Sequence, residues 1–119
     1  MLSYTDLRVW QRARRITLAC LGLAKDHWQP RARPLFDQLL RASLSVQLNI
    51  AEGYALATKG RTLHLWTTAY GSAVETTNCL DLLCESGLVP RDKGNPLAEE
   101  ARGCAIGVLM LIKAQRRKG

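Results

Sequence analysis

Aromatic side chains are scarce in this chain, six per cent of a sequence that is 47% hydrophobic overall. Sheets draw on aromatic and β-branched cross-strand pairs, so the shortage favours close-packed helices. His27 and His64 are the only histidines, and neither stands at a metal-ligand spacing. The four cysteines, Cys20, Cys79, Cys84 and Cys104, lie apart in apolar segments without a CxxC pair or a Cys/His pattern. They read as buried thiols in a reducing cytoplasm. The residues before the first helix do not read as a signal peptide, so none is expected. The longest apolar run, Cys104 to Ile112, is far short of the roughly 20 residues that span a bilayer. A Gly-rich phosphate loop, a metal-ligand cluster and a nucleophile–base pair are all missing, which argues against an enzyme and against any metal or cofactor. The expectation is a soluble cytoplasmic domain, and 119 residues suffice for one core without disulfides or metal.

Acidic side chains are also in short supply, 10 against 17 lysines and arginines, for a net charge of +7. The excess is uneven. Residues 1–33 carry +5 and residues 91–119 carry +4, whereas 34–60 balance at zero and 61–90 come to −2. Cations gathered at both ends of a chain favour a polyanion-binding surface over mere solubility.

Apolar periodicity and punctuation divide the sequence into four helices, at about 6–26, 34–57, 62–86 and 96–117. Thr5 or Asp6 can cap the first, whose core seam is Val9, Ala13, Ile16, Cys20 and Leu23. Pro30 and Pro34 bar a continuous helix between the first and second. Trp28, in that connection, either closes the end of the bundle, the commoner role, or stacks on a base. Thr58 to Arg61 reads as a short turn. In the third helix Leu65, Ala69, Ser72, Thr76, Cys79 and Leu83 keep heptad spacing, and small residues cluster at Ala69, Gly71, Ser72 and Ala73. Ser86-Gly87 signals a helix end, Leu88 to Asn95 reads as a polar turn, and Asn95-Pro96 reads as a cap with proline in the first helical turn. The fourth helix is apolar on nearly every face, with Gly103 and Gly107 spaced for close helix contact.

Residues 38–53 organise the rest. On a helix, Leu35, Leu39, Ala42, Val46, Ile50 and Gly53 make one apolar stripe, and Leu40, Leu44, Leu48 and Ala51 make a second about 160° away. A surface helix has one apolar face; this one has two and must be covered on both sides, by its own bundle and by another subunit. Between the stripes lie Arg41, Ser45, Asn49 and Glu52. They form either a structural polar network, joined by Ser72 and Glu75 from the third helix, or the lining of a ligand site or pore. Glu75 is the expected partner of Arg41.

This stretch also carries a resemblance. Arg41-Ala42-Ser43, Ser45 and Asn49-Ile50-Ala51-Glu52-Gly53-Tyr54 resemble the signature of the four-helix-bundle family of the 23S rRNA intervening-sequence proteins. Asp6-Leu7-Arg8-Val9-Trp10-Gln11, Ala69-Tyr70-Gly71-Ser72-Ala73-Val74-Glu75 and Leu83 to Leu88 agree with the same family in order and spacing. The chain departs from it at Ala55-Leu56, where relatives commonly show Gly-Arg, and at Arg61, where they often carry an acid. The resemblance implies an all-α, antiparallel up-down four-helix bundle assembling into a ring, a homopentamer. Members include the accessory variability determinants of diversity-generating retroelements, which bind nucleic acid and work with a reverse transcriptase.

The function expected is a non-enzymatic, basic, oligomeric accessory protein binding RNA and complementary DNA, with a reverse transcriptase as partner. The alternative is an intervening-sequence-encoded scaffold for RNA or for an acidic protein. Candidate phosphate contacts are Arg8, Arg12, Arg14 and Arg15 on the first helix, Arg31 and Arg33 in the connection after it, Lys59 and Arg61 in the second turn, and Lys113, Arg116, Arg117 and Lys118 at the close. A merely solvated basic face is the competing reading of the first group.

Overall fold

The computed structural model describes residues 3–55 and 58–118. A short 3-10 turn at Tyr4–Asp6 leads into α1 (Arg8–His27), a second at Pro30–Ala32 into α2 (Arg33–Ala55), and α3 (Lys59–Glu85) and α4 (Arg91–Arg117) follow. No strand occurs among the described residues. The four helices pack side by side as a bundle, a rod of 48 × 21 × 18 Å. Within it α3 lies against both α2 and α4, and α1 against the other side of the same two helices.

The helix boundaries differ from the sequence expectation in three places, each for a physical reason. The first helix opens at Arg8, because Ser3 caps the preceding 3-10 turn through a bond from the Thr5 amide (3.2 Å). The third opens at Lys59, three residues earlier than expected. There the Thr58 hydroxyl accepts the Arg61 amide at 3.4 Å, so the cap precedes the glycine that reads as a turn signal. The expected close of α2 at residue 57 falls outside the described residues.

The largest difference is in α4, which opens at Arg91 with Pro90 as its cap, so Pro96 is an internal residue and not the first turn. The stretch from Leu88 is therefore not a polar turn. Gly87, at φ +76°, reverses the chain in the left-handed region open to glycine. Leu88 and Val89 are then buried, at 9% and 1% exposure. Gly94 is buried too, and a Cβ there would overlap the Cys84 sulfur. Burying these residues holds 91–95 against α3, and helix there satisfies their backbone. Pro96 withholds one amide, from the carbonyl of Asp92 in the opening turn.

The core follows the apolar stripes. Ala13, Ile16, Cys20 and Leu23 of the α1 seam are buried, with Val9 half-buried beside them. From α2, Leu39, Ala42, Val46, Ile50 and Gly53 are buried. The second α2 stripe is covered only in part by its own bundle: Leu40 packs against the core, but Leu44 and Leu48 keep 45% and 49% exposure. The other half of the α3 core face comes from Trp66, Ala73, Thr77, Leu80 and Cys84, which the heptad reading omits. Gly71 has open space around it and serves no close contact.

Candidate nucleic-acid interface

Short contacts define one end of the rod. Val9 at the start of α1 lies against Gly107 of α4, where a Cβ would sit 3.2 Å from its methyl group. Leu7 and Arg8 share a groove with Gly103, Gly107 and Leu111. Lys59, opening α3, donates through Nζ to the carbonyls of Arg116 (3.2 Å) and Lys118 at the close of α4. The Gly53 carbonyl, near the close of α2, accepts from the Thr62 hydroxyl at 2.8 Å. The close of α2 thus meets the start of α3, the start of α3 meets the close of α4, and the start of α1 lies against Gly107, ten residues before α4 closes.

Charge collects in that half of the rod. Residues 1–17, 45–72 and 105–119 hold ten basic and two acidic side chains, +8, and the rest of the chain holds seven and eight, −1. The two basic termini, separate in sequence, fall in the same half of the rod as the α2–α3 turn. Arg8, Arg14, Arg15, Arg61, Lys113, Arg116, Arg117 and Lys118 are all exposed. None of them joins an ion pair among the described residues.

Four other candidates sit differently. Arg12 is half-buried, lies across Gly103 and donates from Nε to Glu100 at 3.0 Å. Lys59 is committed to the α4 carbonyls, where a cation complements the negative end of the helix dipole. Arg31 and Arg33 follow α1, roughly 30 Å of helix from its start, and so do not join the cationic half. Arg33 makes a loose, exposed pair with Asp37 at 3.5 Å.

On the edge between α2 and α3, Ser45 and Ser72 share a hydroxyl hydrogen bond of 2.8 Å. Asn49 donates to the Ser45 carbonyl (2.8 Å) and hydroxyl (3.0 Å). Arg41 does not pair with Glu75. Gln38 stands between them, donating to both carboxylate oxygens of Glu75 at 2.6 and 3.0 Å and accepting from Arg41 at 3.4 Å. Arg41 is exposed, so it never needed a buried counter-ion. Glu52, exposed as well, makes none of these bonds. Gln38 sits one turn before Arg41 on the same face, a signal the sequence offers once glutamine is counted with the charged groups.

The signature glycine has its explanation beside this edge. The Trp66 indole lies flat over Gly53, where a Cβ would overlap Nε1 and Cδ1, and its N–H donates to the Ile50 carbonyl at 3.1 Å. The Gly53 position is therefore fixed by a ring 13 residues away. Four of the segments that carry the family resemblance thus fall at the start of α1, on α2, on α3 and at its end. The chain matches the family model for the 23S rRNA-intervening sequence protein over residues 5–106. It belongs to that family. No curated protein matches the chain. The family match ends inside α4, so Lys113, Arg116, Arg117 and Lys118, four of the exposed cations, lie beyond it.

All four thiols are free and buried. Burial pushes Cys20 up to about 12 and Cys104 up to about 11, and raises Cys79 and Cys84 as well. They are poor nucleophiles. Among the described residues no three His, Cys, Asp or Glu side chains gather for a metal, and no helix is long and apolar enough to cross a membrane.

Proposed function

We propose that this protein is a non-enzymatic nucleic-acid-binding subunit that works as a ring, with the cationic half of each bundle contributing phosphate contacts. The observation that carries the reading is the partition of charge, +8 on one half of the rod against −1 on the other. Eight exposed cations that join no ion pair among the described residues suit the sequence-independent contacts that dominate backbone binding. Membership of a family named for an rRNA intervening sequence supports RNA as the ligand.

Assembly is supported by two unlike apolar faces. One carries Leu18, Leu21, Leu44 and Leu48, each about half exposed. The other is a groove of about 350 Å³ between α3 and α4, where Val74, Ala105, Ile106 and Leu109 lie with Tyr70 and are bordered by Thr77, Asn78 and Arg102. Unlike faces make a head-to-tail contact, which closes into a ring or runs on as a filament. We read the bundle as up-down in connectivity and the ring as a homopentamer, the count being that of the resemblance. Work beside a reverse transcriptase in a diversity-generating retroelement rests on the same resemblance, and a gene neighbourhood without a reverse transcriptase removes it.

The test is fluorescence anisotropy with a labelled single-stranded RNA of about 20 nucleotides over a salt series starting near 50 mM. Binding should weaken steeply with salt. Replacing Arg14, Arg15, Arg116 and Arg117 together by alanine should flatten the slope by several phosphate contacts. No binding by the parent protein at low salt overturns the reading and favours a scaffold for an acidic protein.

A further inference from the structure

Trp28 has two roles open to it, closing an end of the bundle or stacking on a base, and its exposure favours the second. It stands at the C-terminal cap of α1 with 53% of its surface exposed, whereas Trp66 is 6% exposed and Trp10 is half-buried with Tyr4 on its edge, ring centroids 5.1 Å apart. No ring contact involves Trp28 among the described residues. A half-exposed indole leaves much of the largest apolar side chain in water, a cost that a ligand can relieve.

Its surroundings select the ligand. Trp28, Gln29, Pro30 and Arg31 are consecutive and all exposed, and Lys25 lies exposed one turn before. The backbone carrying them is held. Trp28 and Gln29 are extended, Pro30–Ala32 forms a 3-10 turn closed by the Ala32 amide on the Gln29 carbonyl at 2.9 Å, and Ala32 is fully buried. Arg31 has no ion pair among the described residues. An aromatic face presented on a rigid corner, with free cations on either side, is the arrangement that stacks an unpaired base while neutralising its phosphates. A duplex hides its base faces inside the stack, so this corner discriminates between the two forms.

We propose that the Trp28–Arg31 corner is a stacking site for an unpaired base of single-stranded nucleic acid. It is separate from the cationic half of the rod, since it follows the close of α1, on the side away from Arg8 and Val9. The site rests on the nucleic-acid reading above and adds strand preference to it: the cationic half holds any polyanion, and Trp28 favours the single strand.

Anisotropy titrations of one labelled RNA of about 20 nucleotides, alone and annealed to its complement, decide the matter. Trp28→Ala should weaken single-strand binding about tenfold, within the range for loss of one stacked base, and leave duplex binding unchanged. Trp28→Phe should recover most of the loss. The salt slope should stay as in the parent protein for Trp28→Ala and fall by about one contact for Arg31→Ala. Equal single-strand affinity for the parent and Trp28→Ala overturns the stacking site and leaves the reading of the cationic half standing. Failure of the parent to bind either RNA overturns both. A change in assembly mass on Trp28→Ala assigns the ring to a contact between copies and overturns the site as well.

Discussion

Two seams of this bundle place a glycine beneath a nitrogen-bearing side chain from the neighbouring helix, and they work differently. At the α2–α3 seam the cover is Trp66 over Gly53, a flat rigid ring pinned by its N–H to the Ile50 carbonyl at 3.1 Å. At the α1–α4 seam the cover is Arg12 over Gly103, the far end of a flexible chain whose pair with Glu100 is 37% and 53% exposed. The first contact is a fixed part of the packing. The second is a partly exposed side chain that lines a groove with Arg8, Val9 and Gly107. The basic, adaptable seam is the one that borders the proposed polyanion surface.

The largest test of this contrast is Gly53→Ala. An added methyl meets the indole, and neither the ring nor α2 can yield cheaply, so overpacking outweighs the helix-propensity gain. We expect a loss of about 2 kcal/mol by urea unfolding. In a Trp66→Phe background the same change should cost less by about 1 kcal/mol, because the smaller ring withdraws from the site. Additive losses would mean that Gly53 is constrained by something other than Trp66.

How far the sequence reveals these seams differs between them. The α1 seam, the uncovered Leu44 and Leu48, and the close contact at Gly103 and Gly107 follow from spacing alone, because helix periodicity fixes which residues share a face. Trp66 escapes because it sits among threonines and off the heptad, and only the distant Gly53 gives it a place. The start of α4 escapes because proline and asparagine mark a boundary locally, whereas burial of Leu88, Val89 and Gly94 decides it from outside. The candidate site is legible as charge and not as geometry. Nothing local says that Lys59 turns inward to the α4 carbonyls, that Gln38 intercepts Glu75, or that Arg31 lies away from the termini's cations.

A middle-sized effect comes from Cys104, whose thiol lies on the α4 side of the softer seam, 4.0 Å from the Val9 carbonyl. Burial raises it to about 11, with Arg12 pulling it down and Glu100 pushing it up. A thiol in the unfolded chain ionises near pH 8.5. The folded state therefore has its full advantage below about pH 8.5 and loses it as pH rises towards 11. Urea midpoints in reducing buffer should fall over that window, and Cys104→Ala should make the fall shallower by on the order of 1 kcal/mol at pH 10. An unchanged slope would mean that water already reaches this thiol through the seam.

The smallest effect separates the seams most cleanly. In Gly103→Ala the nearest atoms to the new methyl are those of the Arg12 guanidinium, which can swing towards solvent at the cost of a partly exposed ion pair worth less than about 1 kcal/mol. Alanine returns about 1 kcal/mol of helix propensity at the same position. The two terms nearly cancel, so stability should stay within about 0.5 kcal/mol of the parent. Arg12, displaced from Glu100, then becomes one more free cation beside Arg8 and Arg15, and RNA affinity should hold or rise slightly. A loss as large as that of Gly53→Ala would show Arg12 to be as rigid as Trp66, and the contrast between the two seams would fail.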